Sequence, residues 1–167
     1  MTDLDGLAII EILDTHGVAF VVIGGWAARA YGSPLVTFDV DVVPAKNQAN
    51  LERLSSALRE LDAKVRGGDG EPLPFSHDAT SLASAVFWNL STKHGDLDIT
   101  FTPSGTSGYD DLAGGALRIA MGGMPITFAS LADIIRSKEA AGRDKDRRAL
   151  PILRELLAQD LEAKRSR

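Results

Sequence analysis

Four aspartates fall into two pairs, Asp39 and Asp41 in VTFDVDVV and Asp96 and Asp98 in GDLDIT. Residues two apart on an extended strand project from one face, about 6–7 Å apart along the chain. Each pair therefore points both carboxylates the same way. Phe38, Val40 and Val42, and likewise Leu97 and Ile99, turn to the opposite face. Like charges held side by side repel unless a cation joins them. A pair of oxygen ligands on one strand, met by a third from its neighbour, suits Mg²⁺, which takes a few carboxylates and leaves positions for phosphate and water. Taken alone, D-x-D is common, and two exposed acids on an edge strand would read the same way.

Upstream, the apolar run Ala19 to Ile23 ends in Gly24-Gly25, and a short helical segment, Trp26 to Tyr31, follows. Glycines where a strand opens into a helix leave backbone N–H groups open to close approach, which makes a phosphate cradle. The predicted order of strand, Gly-Gly, helix and D-x-D strand sets a phosphate site beside a metal site. Thr37 shares the predicted strand face of Asp39 and Asp41, where its hydroxyl would reach a phosphate oxygen. Lys138 lies one helical turn beyond Ile134 and Ile135 on the stripe that Leu131 begins. It therefore follows the inward face and calls for an anionic partner, a phosphate or one of the acids. His16, His77 and His94 show no metal-ligand spacing and read as surface residues. Trp26 and Trp88 read as core residues.

These residues must be positioned by the elements around them. The spacing predicts a helix over residues 4–16, a buried strand at 19–23 and an alternating strand at 36–43. An amphipathic helix follows at 47–61, carried by Leu51, Leu54, Leu58 and Leu61. Residues 66–80, rich in Gly, Pro and Asp, are expected to form a loop. Two strand pairs come next, 85–90 with 97–101 around His94-Gly95, and 116–120 with 125–128 around Gly122-Gly123. Helices at 131–141 and from 144 to about 158 finish the chain, the last one containing Pro151. The expected architecture is α/β: a small mixed sheet with flanking helices and a C-terminal helical pair. One domain over residues 1–167 is expected, with its core at about 1–128 and the closing helices at about 130–160.

Composition narrows the classes. Among 167 residues, 44% are hydrophobic and 25% charged, a globular balance rather than a disordered one. With no cysteine, a disulfide scaffold, a thiolate metal site and a cysteine nucleophile are excluded. No apolar run is long enough to span a bilayer, and the acidic start MTDLDG is unlike a signal peptide, so a cytoplasmic protein without a membrane partner is expected. The net charge of −5 is uneven: from Arg136 onward ten Lys/Arg face six Asp/Glu, or +4, which leaves −9 on residues 1–135. A basic end on an acidic body suits a polyanion partner, and a solvated charged helix has the same composition.

Taken together, VVIGGWAARAYGSPLVTFDVDVV and the downstream GDLDITF resemble the nucleotidyltransferases of the DNA polymerase β superfamily. The matching parts are Ile23-Gly24-Gly25, Asp39-Val40-Asp41 and Leu97-Asp98-Ile99, over roughly residues 18–101. The ending SLADIIRSKEAAGRDKDRRAL is similar to that of minimal bacterial members, including AbiEii-like toxins of toxin–antitoxin pairs. The resemblance implies transfer of a nucleoside monophosphate from a nucleoside triphosphate to an acceptor hydroxyl, with two Mg²⁺ ions. It implies Asp39, Asp41 and Asp98 as metal-binding and catalytic acids and Gly24 and Gly25 as the triphosphate cradle. Lys138 would neutralise the phosphates, and Asp146 would partner Lys138. An arginine common in relatives before the T-x-D motif is replaced here by Leu35, and Arg29 is the nearest substitute. The toxin branch implies a tRNA 3′ end as acceptor and a cognate antitoxin as partner. Gly24-Gly25-Trp26 also occurs in relatives that adenylylate aminoglycosides, so a small-molecule acceptor stays open. So does a non-catalytic nucleotide-binding or antitoxin-interacting module.

Overall fold

The computed structural model describes residues 3–69, 71–74 and 76–167. In chain order these form α1 (Gly6–Thr15), β1 (Phe20–Ile23), α2 (Gly24–Ala30), β2 (Asp39–Pro44), α3 (Gln48–Glu60), β3 (Lys64–Arg66) and β4 (Pro72–Leu73). Then follow α4 (Ala79–Ala83), β5 (Phe87–Thr92), β6 (Gly95–Thr100), α5 (Tyr109–Gly115), β7 (Leu117–Met121), β8 (Met124–Phe128), α6 (Leu131–Ala141) and α7 (Asp144–Arg165). The described strands make one mixed sheet in the order β4-β3-β5-β6-β2-β1-β8-β7. The expected α/β class and mixed sheet are therefore present, with the two closing helices.

The centre of the sheet sets the register of the acids. β1 and β2 run antiparallel, with Ile23 opposite Asp41. β2 and β6 run parallel, placing Asp39 beside Asp96 and Asp41 beside Asp98. Their alternation separates the two faces: Val40, Val42, Leu97 and Ile99 are buried, while the four acids are only half-buried. α1 packs on β2 and β6, and its Ile9, Ile10 and Leu13 are buried in the same core as Leu51, Leu54 and Leu58 of α3. Burial of these apolar groups is the main stabilising contribution.

Several local expectations hold closely. α6 has the predicted bounds because both ends are capped. The Ser130 side chain accepts from the Asp133 N–H at 3.1 Å, and Gly142 closes the helix in the left-handed region at φ 62°. The hairpin β7–β8 turns at Gly122-Gly123, both at positive φ, as the glycines suggested. α7 contains Pro151 and runs to Arg165, past the expected end.

Others need correction. The strand expected from Val36 begins at Asp39, and Val36 and Phe38 are 74% and 80% exposed. Pairing explains this: β1 ends at Ile23 opposite Asp41, and β6 first meets β2 at Asp39, so among the described residues no strand lies beside 36–38. The stretch expected as a loop at 66–80 holds the end of β3, the short β4 and the start of α4; Gly70 and Phe75 of that stretch lie outside the described residues. The histidines are half-buried rather than superficial, with His16 bonded to Glu60 at 2.5 Å and His77 to the Ala63 carbonyl at 2.6 Å. Trp26 is buried, and its ring lies so close to Gly6 that a Cβ there would meet it at 2.1 Å.

Candidate active site

A cleft of about 750 Å³ opens on the acid-bearing face of the sheet. Of the residues singled out in the sequence, it gathers Gly24, Gly25, Thr37, Asp39, Asp41, Asp98 and Lys138. The reason is topological. The end of β1, the start of α2, the start of β2, the middle of β6 and the inner face of α6 meet at one end of the sheet.

Asp39, Asp41 and Asp98 each offer a carboxylate oxygen, and the three oxygens lie within 4.8 Å of one another. The crowding has an electrostatic signature. Burial, reinforced by the charges of Asp39 and Asp98, pushes Asp41 up to about 8. Burial also pushes Asp98 up to about 7 against the pull of Arg66, and the adjacent Asp39 adds to the rise. Three hard oxygen donors that disfavour one another's charge fit a divalent cation such as Mg²⁺. Gly24 belongs to the same arrangement. Its φ is +71°, and a Cβ there would come within 2.3 Å of Asp41 Oδ2, so a side chain is excluded on both counts. At Gly25 a Cβ would meet Thr37 at 2.8 Å. Thr37 itself lies outside β2, yet its hydroxyl donates to the Asp39 carbonyl at 3.1 Å and it lines the cleft.

Opposite the acids, Lys138 of α6 is 17% exposed and lies 3.4 Å from Asp146 Oδ1. Asp146 is fully buried at the start of α7. It accepts from the Arg143 N–H at 3.2 Å, from Arg143 Nε at 2.7 Å and from Arg143 Nη2 at 3.3 Å. Burial alone would raise the Asp146 carboxyl, but the Arg143 bonds and the Lys138 charge outweigh it and hold Asp146 below the usual carboxylate range. Arg143, Lys145 and Arg148 complete the basic wall of the cleft.

Two sequence-derived positions fall elsewhere. Asp146 supports Lys138 from below and is not on the cleft surface. Arg29 is exposed on α2 and is not among the cleft-lining residues; it sits about 100° around the helix from Ala28, which is. Sequence reading also missed Arg66. Its guanidinium donates from Nη1 to Asp96 at 2.7 Å and from Nη2 to Asp98. No local pattern marks it, because the contact depends on β3 pairing with β5 and β5 with β6.

No protein-family model matches the chain, and no curated protein sequence does. Solved structures do, and the fold they share is that of nucleotidyltransferases. The lincosamide antibiotic adenylyltransferase LnuA, solved with lincomycin bound, superposes with TM-score 0.63 at 12% identity, over 93% of this chain and 99% of its own. The antibiotic-resistance factor ANT(2″)-Ia, in complex with adenylyl-2″-tobramycin, gives TM-score 0.58 at 17% identity, over 95% and 91%. A candidate nucleotidyltransferase from Thermotoga maritima gives 0.56 at 18% identity, over 92% and 90%. At these identities the likeness is one of fold.

Proposed function

We propose that the chain is a metal-dependent nucleotidyltransferase that moves a nucleoside monophosphate from a nucleoside triphosphate to an acceptor hydroxyl. The observation that carries the reading is the three-carboxylate cluster of Asp39, Asp41 and Asp98 facing Lys138 and the bare backbone of Gly24 and Gly25 across one cleft. In this reading the three acids hold divalent metal, Mg²⁺ in the family resembled, which would supply charge neutralisation at the reacting phosphate. Gly24 and Gly25, bare of side chains where Asp41 and Thr37 come close, would present their backbone N–H groups to phosphate oxygens. Lys138 neutralises the triphosphate, held in place by Asp146, which Arg143 anchors in turn. Thr37 contributes a hydroxyl beside Asp39. Lys145 and Arg148 take the charge-balancing place that sequence reading gave to Arg29. Asp98 takes the proton of the acceptor hydroxyl as its oxygen bonds to the α-phosphorus, and the bond to pyrophosphate breaks.

A small-molecule hydroxyl is the favoured acceptor. Several cations beyond Arg136 are engaged by acids of the same segment, which leaves the net +4 unchanged but ties up the side chains: Arg147 pairs with Asp144 at 2.5 Å, Arg154 with Glu139 at 2.8 Å and Lys164 with Asp160 at 2.8 Å. The cleft rim also offers apolar groups such as Val36 and Phe87, and the similar folds of LnuA and ANT(2″)-Ia belong to proteins named for antibiotics. A second reading keeps the tRNA 3′ end as acceptor and an antitoxin as partner. Lys145 and Arg148, cationic on the cleft wall, favour it.

The test is incubation of the full chain with Mg²⁺ and α-labelled nucleoside triphosphates, offered aminoglycosides, lincosamides or total RNA. Label is expected on a small molecule, with release of pyrophosphate. Asp39→Ala, Asp41→Ala and Asp98→Ala should each lower transfer by at least about 10³-fold, as loss of several kcal/mol of metal-assisted stabilisation requires. Near-normal transfer in two of the three variants would overturn the assignment.

A further inference from the structure

Of the cations near the acid cluster, Arg66 is the one the proposed chemistry leaves unused. It arrives on the three-residue strand β3 and forks across two acids of β6, which lie two residues apart on one face. One arm reaches Asp96 Oδ2 at 2.7 Å, and the other holds Asp98 Oδ1. Asp98 thus lies between Arg66 on one side and Asp39, with which it shares a hydrogen bond, on the other. The side chains of Arg66 and Asp98 are 30% and 18% exposed, so these bonds are only partly screened by water.

We propose that Arg66 is a positioning residue for the metal cluster: its planar fork, braced on Asp96, fixes the Asp98 carboxylate in the orientation that meets Asp39 and Asp41. The inference rests on the metal-dependent reading above. Its physical basis is the separation of two roles that one cation can play. As a mere counter-charge Arg66 would repel a divalent ion, and its removal would tighten metal binding. As a positioning residue it fixes a ligand that would otherwise swing free on χ1 and χ2, and its removal loosens binding. The fork geometry supports the second role. A guanidinium offers two parallel donors to two acceptors, which an ammonium cannot reproduce with the same rigidity. Partners that orient metal ligands are commonly worth 10–100-fold in metal affinity. The neighbour Lys64, on the same strand, instead lies 3.6 Å from Asp62 and touches none of the four acids.

The experiment is a Mn²⁺ titration of the full, nucleotide-free chain by electron paramagnetic resonance, beside a thermal melt of each metal-free variant. The expected result is a Kd for Mn²⁺ raised about 10–100-fold in both Arg66→Lys and Arg66→Gln, with Lys64→Gln at the wild-type value. The metal-free melting temperature is expected to fall modestly in Arg66→Gln, which leaves Asp96 and Asp98 without their shared cation, and to stay closer to wild type in Arg66→Lys, which keeps the charge. Wild-type affinity in Arg66→Lys, or equal or tighter affinity in Arg66→Gln, would overturn the proposal and leave Arg66 a counter-charge. Either variant suffices if the other does not fold. Asp41→Asn separates the two readings. If wild type binds no Mn²⁺, or Asp41→Asn binds it as well as wild type, the metal-dependent function fails and the Arg66 role with it. If Asp41→Asn weakens binding while the Arg66 variants do not, only the Arg66 role falls.

Discussion

Asp41 and Asp146 stand on opposite sides of one cleft, and the protein treats them in opposite ways. Asp41 sits among like charges, next to Asp39 and Asp98, and its carboxyl is pushed up to about 8, by burial first and then by those neighbours. Asp146 is more completely enclosed, yet Arg143 and Lys138 hold it below the usual carboxylate range. Burial acts in the same direction on both. The difference lies in the partners: on the sheet side three clustered acids share one cation, Arg66 on Asp98, against one acid held by two cations on the helix side. The helix side is already balanced and reads as a support. On the sheet side Arg66 reaches Asp98 but Asp41 stays among like charges, so the cluster is left short of positive charge, as a cation-binding site would be.

The comparison is most strongly tested by removing each acid in turn and measuring metal-free stability. Asp146→Ala strips two cations of their shared partner and removes the Asp146 bond to the Arg143 N–H at the start of α7. A loss of about 3 kcal/mol is expected in denaturant unfolding. Asp41→Asn relieves repulsion and should raise stability by on the order of 1 kcal/mol at pH 8. Losses of similar size in both variants would erase the distinction.

A smaller effect follows with pH. Because the folded state raises Asp41, it binds more protons than the unfolded chain between about pH 4 and 8. The Asp41 contribution to metal-free stability is therefore present at acid pH and lost as pH rises through that window. Asp146 has the reverse sign: its contribution is present above the ordinary carboxylate range and is lost as pH falls through its lowered value. Melting temperatures across pH 3–9 should show Asp41→Asn flattening the alkaline decline and Asp146→Asn flattening the acid one. An alkaline decline unchanged in Asp41→Asn would assign it to another group.

Smallest is the effect expected at Lys138, which keeps its fold-side partner while facing the cleft. Lys138→Ala should raise the Kd for a nucleoside triphosphate about tenfold, the worth of one charge-assisted contact, by calorimetry. Lys164→Ala, paired with Asp160 far along α7, should leave it unchanged. Equal effects would make Lys138 a surface-covering side chain only.

How far the sequence revealed this follows the range of the interactions. The stripe of Leu131, Ile134, Ile135 and Lys138 is a local, helical signal with caps at both ends, and α6 appears where it was expected. The alternation around Asp39 and Asp98 gave the buried face of Val40, Val42, Leu97 and Ile99, because one register decides both faces. It overreached at Phe38, since alternation does not say where a strand stops having neighbours. Arg66 could not be found this way at all. Its role depends on three strands pairing in the order β3-β5-β6, and nothing within a few residues of position 66 encodes that order. The segment around it reads as loop because Gly and Pro are dense there, and tertiary pairing overrides that local preference.

The central claim is that the cluster on the sheet side binds a divalent cation together with the nucleotide. It is tested most directly by calorimetric titration of a non-hydrolysable nucleoside triphosphate analogue, with Mg²⁺ and with chelator, into wild type and the Asp39→Asn/Asp41→Asn double variant. The account predicts that Mg²⁺ tightens binding to the wild type by about tenfold or more and has no such effect on the double variant. Equal affinity with Mg²⁺ and chelator in the wild type, or an undiminished Mg²⁺ effect in the double variant, would contradict it.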